Sequence, residues 1–410
     1  MTNNIFTLLK LLLRPGYASG INLVEQYQRT FAEVIAGNNS LPTLAFWRGR
    51  VALWTTLRAA GLRGGDEVIL PAYTCEMVPA AVKFAGGRCV YVDVEAGRFN
   101  PSVQQIADAV TERTQAIICQ YTYGIPQPVR ELASLIAEQP ITLIEDCCQL
   151  ICPDCHYDGI ATTGDAAFFS TQWSKPFSTG LGGMAVYSNE KLYSEAHNIL
   201  GSFSREQDRQ RSRSLSLQLL LYNLAVRPRT KALVARLYRW AQRSGMIQGT
   251  TAAEEYGDDI PSDYLAGAVN VQAVLGIKEL GRWYENVEHR RMLTTFYLGC
   301  LAELGVDITA MKAGSDNPVL WATPLFVENV DEILSRAGKA GLPIESWFGP
   351  APVHIVPPTA ERYDYITGQC PGSEWMAARE IHLLTSPGVR LRQAEKAIKL
   401  IKKYARIADY

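Results

Sequence analysis

Residues 22 to 37 place Leu23, Val24, Tyr27, Phe31, Val34 and Ile35 near a 3.6-residue period, which predicts an amphipathic helix. From Leu41 the pattern changes to short apolar runs separated by helical periods. Leu44-Ala45-Phe46-Trp47 leads into Arg48-Gly49-Arg50 and a helix through Val51, Leu53, Trp54 and Leu57. Gly64-Gly65-Asp66-Glu67 turns into the short strand Val68-Ile69-Leu70. A helix over 76–85, a strand over 89–93 ending at Asp93, a helix over 101–111, a strand over 116–120 and a helix over 128–138 follow. Ile141, Leu143 and Ile144 then carry Glu145-Asp146 to a strand end, and Ala166 to Ser170 form the next run. Such alternation predicts parallel strands with right-handed crossovers. Downstream, one long helix from about 269 to 303 is expected to bridge to short strands near 320–325 and helices over 330–340, 374–381 and 392–405. The fold class is α/β: a mainly parallel sheet in a large domain plus a smaller α+β C-terminal domain. The expected division is an N-terminal helical arm at 1–40, the large domain at 41–268 and the bridging helix with the small domain at 269–410.

At 410 residues the chain is long enough for a substantial core, and a formal net charge of −1 with 20% charged residues leaves neither a polycation nor an acidic tail. Nucleic acid is therefore not an expected partner. Nine cysteines, an odd number scattered in apolar runs (Cys75, Cys89, Cys119, Cys300), read as reduced, in a cytoplasmic protein. Cys147, Cys148, Cys152, Cys155 and His156 include a C-x-x-C pair and invite a zinc reading. No second C-x-x-C follows, and Pro153-Asp154 reads as an ordinary turn, so no metal is expected. The apolar stretch Ile5 to Leu13 is too short to span a bilayer. It packs on the body or a partner subunit, or touches a membrane surface. Residues 203 to 260 interleave arginines (Arg205, Arg209, Arg213, Arg227, Arg236) with apolar helical runs. The plain reading is a solvated helical pair; the functional ones are a clamp for an anionic substrate or a membrane-surface patch. The five histidines show neither an H-E-x-x-H nor a triad context, and no internal repeat is visible.

The chemistry concentrates between Ile144 and Tyr187. Asp146 stands at the end of a strand, where open α/β sheets place their ligands. Lys175 lies between Trp173-Ser174 and Pro176-Phe177, just before a glycine-rich turn, and reads as held rather than solvated. Such a lysine could form a Schiff base, and an upstream acid could protonate a pyridine nitrogen. Taken singly, Lys175 could equally cap or solvate, and Asp146 could be a structural acid. Gly49 at a helix start exposes backbone N–H groups suited to an anion.

Several elements stand in register: Glu145-Asp146-Cys147-Cys148-Gln149, Gly164-Asp165, Phe169-Ser170, Lys175 five residues later, and Gly180-Leu181-Gly182-Gly183. This succession resembles the DegT/DnrJ/EryC1/StrS sugar aminotransferases, fold-type I (aspartate-aminotransferase-like) pyridoxal-phosphate enzymes with E-D-x-x-Q, G-D-x-x-x-F-S, K and G-x-G-G. Gly65 to Thr74 resembles the family's G-D-E-V-I-x-P-x-x-T, and Cys370-Pro371-Gly372-Ser373-Glu374 with Leu383-Leu384 its closing stretch. The likeness is good over about 40–200 and loose over 265–405. Gln120 to Gly124 stands where the family often has His-x-Tyr-Gly; Tyr121 and Tyr123 either line the pocket mouth or are ordinary half-buried tyrosines.

The resemblance implies that Lys175 holds pyridoxal 5'-phosphate, Asp146 pairs with the pyridine N–H, and Gln149 bonds the phenolic oxygen. Ser170, the amides near Gly49, and Arg50 would anchor the phosphate. Three departures stand out. Arg50 replaces a Thr or Ser; it either grips phosphate, as a guanidinium suits, or lies on the surface. Cys75 replaces an aromatic residue, so Tyr73 or another side chain covers the ring, or that face is looser. Leu265, Ala266 and Gly267 occupy the place of an Asn-x-Arg that reaches into a partner subunit, and an arginine of 203–260 is a candidate replacement. The implied activity moves an amino group from an amino-acid donor, L-glutamate, to a nucleotide-linked keto-sugar, within a homodimer, for surface polysaccharide or secondary metabolism. The alternatives are an unactivated keto-sugar or other ketone as acceptor, and a binding or scaffold protein that has lost turnover. Dehydratase relatives carry histidine in place of the lysine, so Lys175 argues against them.

Overall fold

The computed structural model describes residues 22–38, 40–95, 97–151, 163–225, 259–312, 315–347 and 362–408. Helix α1 (Leu23–Ile35) begins where Asn22 Oδ1 accepts the Glu25 N–H, and it buries Tyr27, Phe31, Ala32 and Ile35. The alternation then runs β1 (Thr43–Phe46), α2 (Gly49–Ala59), β2 (Glu67–Pro71), α3 (Met77–Ala85), β3 (Arg88–Val92), α4 (Val103–Asp108), β4 (Thr114–Gln120), α5 (Val129–Leu135), β5 (Thr142–Asp146), β6 (Ala166–Ser170), β7 (Gly183–Tyr187) and α6 (Glu190–Gly201). Among the described residues seven strands form one sheet in the order β1-β7-β6-β5-β4-β2-β3. The pairs β2–β3, β2–β4, β4–β5 and β5–β6 are parallel; β7 is antiparallel to both neighbours, so β1 points the same way as the other five.

Successive side chains of a strand leave opposite faces. Val68, Leu70, Ala116 and Ile118 accordingly join the core beneath α2, α3 and α6, while Ile69, Ile117 and Cys119 join a separate core with α4 and α5. Covering both faces accounts for strands that are apolar throughout instead of alternating with polar residues.

The helices depart from expectation in three places. The long helix expected over 269–303 is two helices, α8 (Asn270–Leu280) and α9 (Trp283–Ala302). Gly281 caps the first, and Arg282 at ψ 14 steps out of the helical path, since glycine holds a helix weakly. The helix expected over 101–111 stops at Asp108, and Thr111 turns its hydroxyl to Glu67 Oε2 at 2.6 Å. The helix expected over 374–381 ends at Arg379, because Glu380 is extended and pairs with Phe326.

The remaining elements are α7 (Asp208–Ala225), which precedes α8, then α10 (Thr309–Lys312), β8 (Ala322–Phe326), α11 (Val330–Ala340), β9 (Ile344–Glu345), α12 (Pro371–Arg379), β10 (Glu380–Leu384) and α13 (Leu391–Tyr404). A second, antiparallel sheet has the order β8-β10-β9, and Leu293, Tyr297 and Leu301 of α9 share its core with Ile381, Leu383 and Ile398. Within the basic stretch, α7 buries Leu215 and Leu219 against Trp47, Leu181 and Leu275. Residues 226 to 258, the apolar stretch Ile5 to Leu13, and Cys152, Cys155 and His156 lie outside the described residues. Among the described residues no helix is long and apolar enough to cross a membrane.

Candidate active site

Because all strands of the large sheet except β7 point one way, the carboxyl ends of β1, β2, β4, β5 and β6 converge, where a crevice forms in sheets of this kind. The pocket there is lined by Gly49, Arg50, Cys75, Asp146, Gln149, Ser170 and Lys175, together with Trp347. Seven of the eight residues singled out from the sequence thus meet; Tyr73 does not.

Asp146 is the last residue of β5 and is 5% exposed. Its Oδ1 accepts the Cys148 N–H at 2.9 Å. Burial pushes its carboxyl above the ordinary range, opposed by the Cys148 N–H and by the charge of Lys175. The pleat turns Glu145 to the opposite face, where it accepts Gly164 N–H at 2.8 Å and the Tyr121 hydroxyl. Of the acid pair, only Asp146 therefore serves the pocket.

Gln149 is buried, and its Oε1 accepts the Tyr123 N–H at 2.6 Å. Its Nε2 has no hydrogen-bond partner among the described residues. A buried donor of this kind at a pocket wall costs free energy until something accepts from it.

On the opposite wall, Gly49 opens α2 against the end of β6. A Cβ there would lie 2.9 Å from Ser170 Cβ and 3.3 Å from Phe169 O, so only glycine lets the helix N-terminus approach Ser170. The first backbone N–H groups and the dipole of an 11-residue helix are thereby brought up to the Ser170 hydroxyl. Arg50 is buried in the first turn, and burial, reinforced by Arg48, pushes its guanidinium down to about 10. Arg48 is held by Asp263, Nε to Oδ2 at 2.6 Å. The surface alternative for Arg50 is thus overturned: it sits inside at 7% exposure, beside Arg48 at 4%.

Lys175 follows β6 on a loop whose first turn closes with Lys175 N–H to Gln172 O at 3.0 Å. Its Nζ lies 5.7 Å from the centroid of the Trp347 ring. Its positive charge is felt by Asp146, Cys75 and Cys148. Burial raises both thiols, and Lys175 pulls each back toward ionisation.

Tyr73 stands behind this wall, completely buried, with its hydroxyl 2.8 Å from that of Tyr123. It is a support and not a cover for a ligand ring. Tyr121 lines the pocket, whereas Tyr123 packs behind it between Tyr73 and Trp321. An aromatic side chain from the second half that lines the pocket is Trp347, just past β9. Its backbone N–H is held by Glu380 Oε2 at 3.0 Å, and its ring leans edge-on against Tyr73. No local signal marks Trp347, which reaches the site only because the second sheet docks there. Leu265 to Gly267 take another role, covering the edge of β1 through Trp47 N–H to Ala266 O and Ala268 N–H to Ala45 O.

The donor set fits pyridoxal phosphate: a carboxylate for the pyridine nitrogen, an unpartnered amide N–H, an amine, and a helix N-terminus with a guanidinium for phosphate. The family pattern of the DegT/DnrJ/EryC1/StrS aminotransferases matches residues 2–233 and 252–402. The chain belongs to this family. A GDP-perosamine synthase from Escherichia coli O157:H7 is 31% identical over 180 residues, 44% of this chain and 49% of that protein. The GDP-perosamine synthase of Vibrio cholerae is 22% identical over 93% of this chain and 90% of its own length. Among solved structures, NtdA from Bacillus subtilis with bound cofactor PMP superposes with a TM-score of 0.69 at 19% identity, over 98% of this chain and 81% of that one. Membership places the chain among pyridoxal-phosphate-dependent sugar aminotransferases, with the fold-type I architecture that the motif succession implies.

Proposed function

We propose that the protein transfers an amino group from an amino-acid donor, L-glutamate, to a keto-sugar carried on a nucleotide, and that it works as a homodimer. The observation that carries this reading is the convergence of Lys175, Asp146 and the unpartnered Gln149 amide on one pocket. The GDP in the names of the two perosamine synthases supports a nucleotide-linked acceptor.

Bound pyridoxal phosphate supplies an electron sink for cleavage of a bond at the donor's α-carbon. The chain's own residues do the rest. Arg50, Ser170 and the amides at the start of α2 hold the phosphate. Asp146, buried and facing Lys175, holds a proton on the pyridine nitrogen, while Gln149 Nε2 orients the ring through its phenolic oxygen. The Lys175 amine would hold the cofactor and would serve as the base that carries a proton at the donor's α-carbon. Trp347 walls one side of this space, its ring centroid 5.7 Å from the Lys175 amine.

Purified protein is mixed with cofactor, and its spectrum is followed before and after excess L-glutamate. An absorbance band near ~420 nm that moves toward ~330 nm with glutamate, and is missing in Lys175→Ala, supports the assignment. A Lys175-dependent band that glutamate leaves unchanged would instead favour a protein that binds the cofactor without turnover. A monomeric mass by light scattering would count against the homodimer.

A further inference from the structure

The loop that bears Lys175 is held from outside, on both sides of the lysine. Before it, the Ser174 carbonyl accepts the Trp321 indole N–H at 2.7 Å. After it, the Pro176 carbonyl accepts two donors from α9, Asn286 Nδ2 at 2.9 Å and Arg290 Nη2 at 3.1 Å. Arg290 also donates from Nε to Asn286 Oδ1 at 2.8 Å, and from Nη1 to Trp321 O and Thr385 Oγ1, each at 3.1 Å. One guanidinium thus ties the carbonyl that follows the lysine to the residue that holds the carbonyl preceding it.

Trp321 reaches further. Its backbone N–H donates to Tyr123 O at 2.9 Å, and Tyr123 N–H donates to Gln149 Oε1. The same tryptophan therefore spans from the lysine loop to the amide on the opposite side of the pocket. Arg290 is 2% exposed, and burial alone pushes its guanidinium down to about 9. Its acceptors among the described residues are neutral carbonyls, an amide and a hydroxyl, so there it is a buried cation solvated by oxygens and not by a carboxylate. A planar fork with five N–H groups can meet this set; an ammonium with three rotatable donors cannot meet it in the same geometry. Such a group is expensive to bury and holds fixed whatever solvates it.

The geometry points to Arg290, with Asn286 and Trp321, as the clamp that positions Lys175 for its cofactor and keeps it in register with Gln149. These are positioning residues: they act through the peptide groups that flank the lysine. The inference rests on the proposed role of Lys175 and adds what sets the direction of its side chain. The donors come from segments far downstream, 110 to 147 residues beyond the carbonyls they hold. The lysine is therefore oriented only when α9 and the segment leading into β8 are docked.

Two measurements on Arg290→Lys, Arg290→Met and Trp321→Phe test it. In cofactor-free protein, hydrogen exchange of the Lys175 amide, bonded to Gln172 O, is compared with that of β5 amides. In the cofactor-loaded protein, the pH midpoint of the Lys175-dependent band near ~420 nm is titrated. Arg290→Met and Trp321→Phe are expected to speed Lys175 exchange about tenfold relative to β5 and to move the pH midpoint, with Arg290→Lys between them and the parent. A lowered melting temperature with both the exchange ratio and the midpoint unchanged would overturn the clamp and leave Arg290 a structural tie. Trp321→Phe removes only the indole donor and decides the matter should Arg290→Met fail to fold. If the parent shows no Lys175-dependent band, the functional reading fails, and the exchange comparison still decides whether the loop is clamped.

Discussion

Gln149 Oε1 accepts the Tyr123 N–H at 2.6 Å, while its Nε2 is left without a partner among the described residues. Tyr123 stands at φ 58, a left-handed backbone that a non-glycine residue adopts only when its surroundings impose it. One end of the amide thus pins a strained turn, and the other faces the pocket. Gln149→Leu orphans the Tyr123 N–H but also removes the unpartnered Nε2, so it is expected to destabilise the cofactor-free protein only modestly, by about 1 kcal/mol. It should also weaken cofactor binding. Urea unfolding and a cofactor titration read the two effects separately; full affinity in the variant would make Gln149 purely structural.

Arg50 sits in the first turn of α2, pushed down by burial and by Arg48. A phosphate dianion would relieve both pressures. Arg50→Ala should therefore weaken cofactor retention by about 2 kcal/mol, roughly 30-fold. Equilibrium dialysis measures this directly, and unchanged retention would remove Arg50 from the phosphate site.

The approach of Gly49 to Ser170 is tight enough that a single methyl group disturbs it. Gly49→Ala should push the end of β6 away from the helix start, costing about 1–3 kcal/mol in stability, as overpacking does. Because Ser170 moves with it, cofactor affinity should fall as well. A variant with parental stability and affinity would show that the two elements yield freely.

Glu380 is 1% exposed and holds both His382 Nδ1, at 2.7 Å, and the Trp347 backbone N–H. Burial works against its charge, but His382 and the hydrogen bonds outweigh that cost and keep the carboxyl below its ordinary 4.5. A depressed carboxyl stabilises the fold in full above the unfolded value and loses that contribution as pH falls through the lower folded one. Glu380→Gln should therefore cost about 1.5–3 kcal/mol near neutral pH. The difference from the parent should shrink on acidification below 4.5. A constant difference across urea melts from neutral pH to acid would rule out this linkage.

Much of the site was legible along the chain, because in a mostly parallel sheet each strand delivers its last residues to the same edge. Asp146, Ser170 and Gly49 needed no tertiary information beyond that rule, and Lys175 follows its strand by only five residues. The alternation of strands and helices was equally local, since apolar periodicity and turn residues decide it.

Tyr73 was misread because its position beside Thr74 says nothing about which way its ring points. The ring is buried by Tyr123 and Trp347, and that choice is made by packing. Gly281 broke a helix that periodicity alone would have continued. Trp347, the Glu380 carboxylate that holds it, and the Arg290–Trp321 clamp come from distant parts of the chain and carry no local mark. Local pattern decided the alternation of strands and helices and which chemical groups stand at the strand ends. Only the docking of α9 and the second sheet against the first decided which ring walls the pocket and what holds the lysine, because those contacts exist only once side chains far apart in sequence share one packed interior.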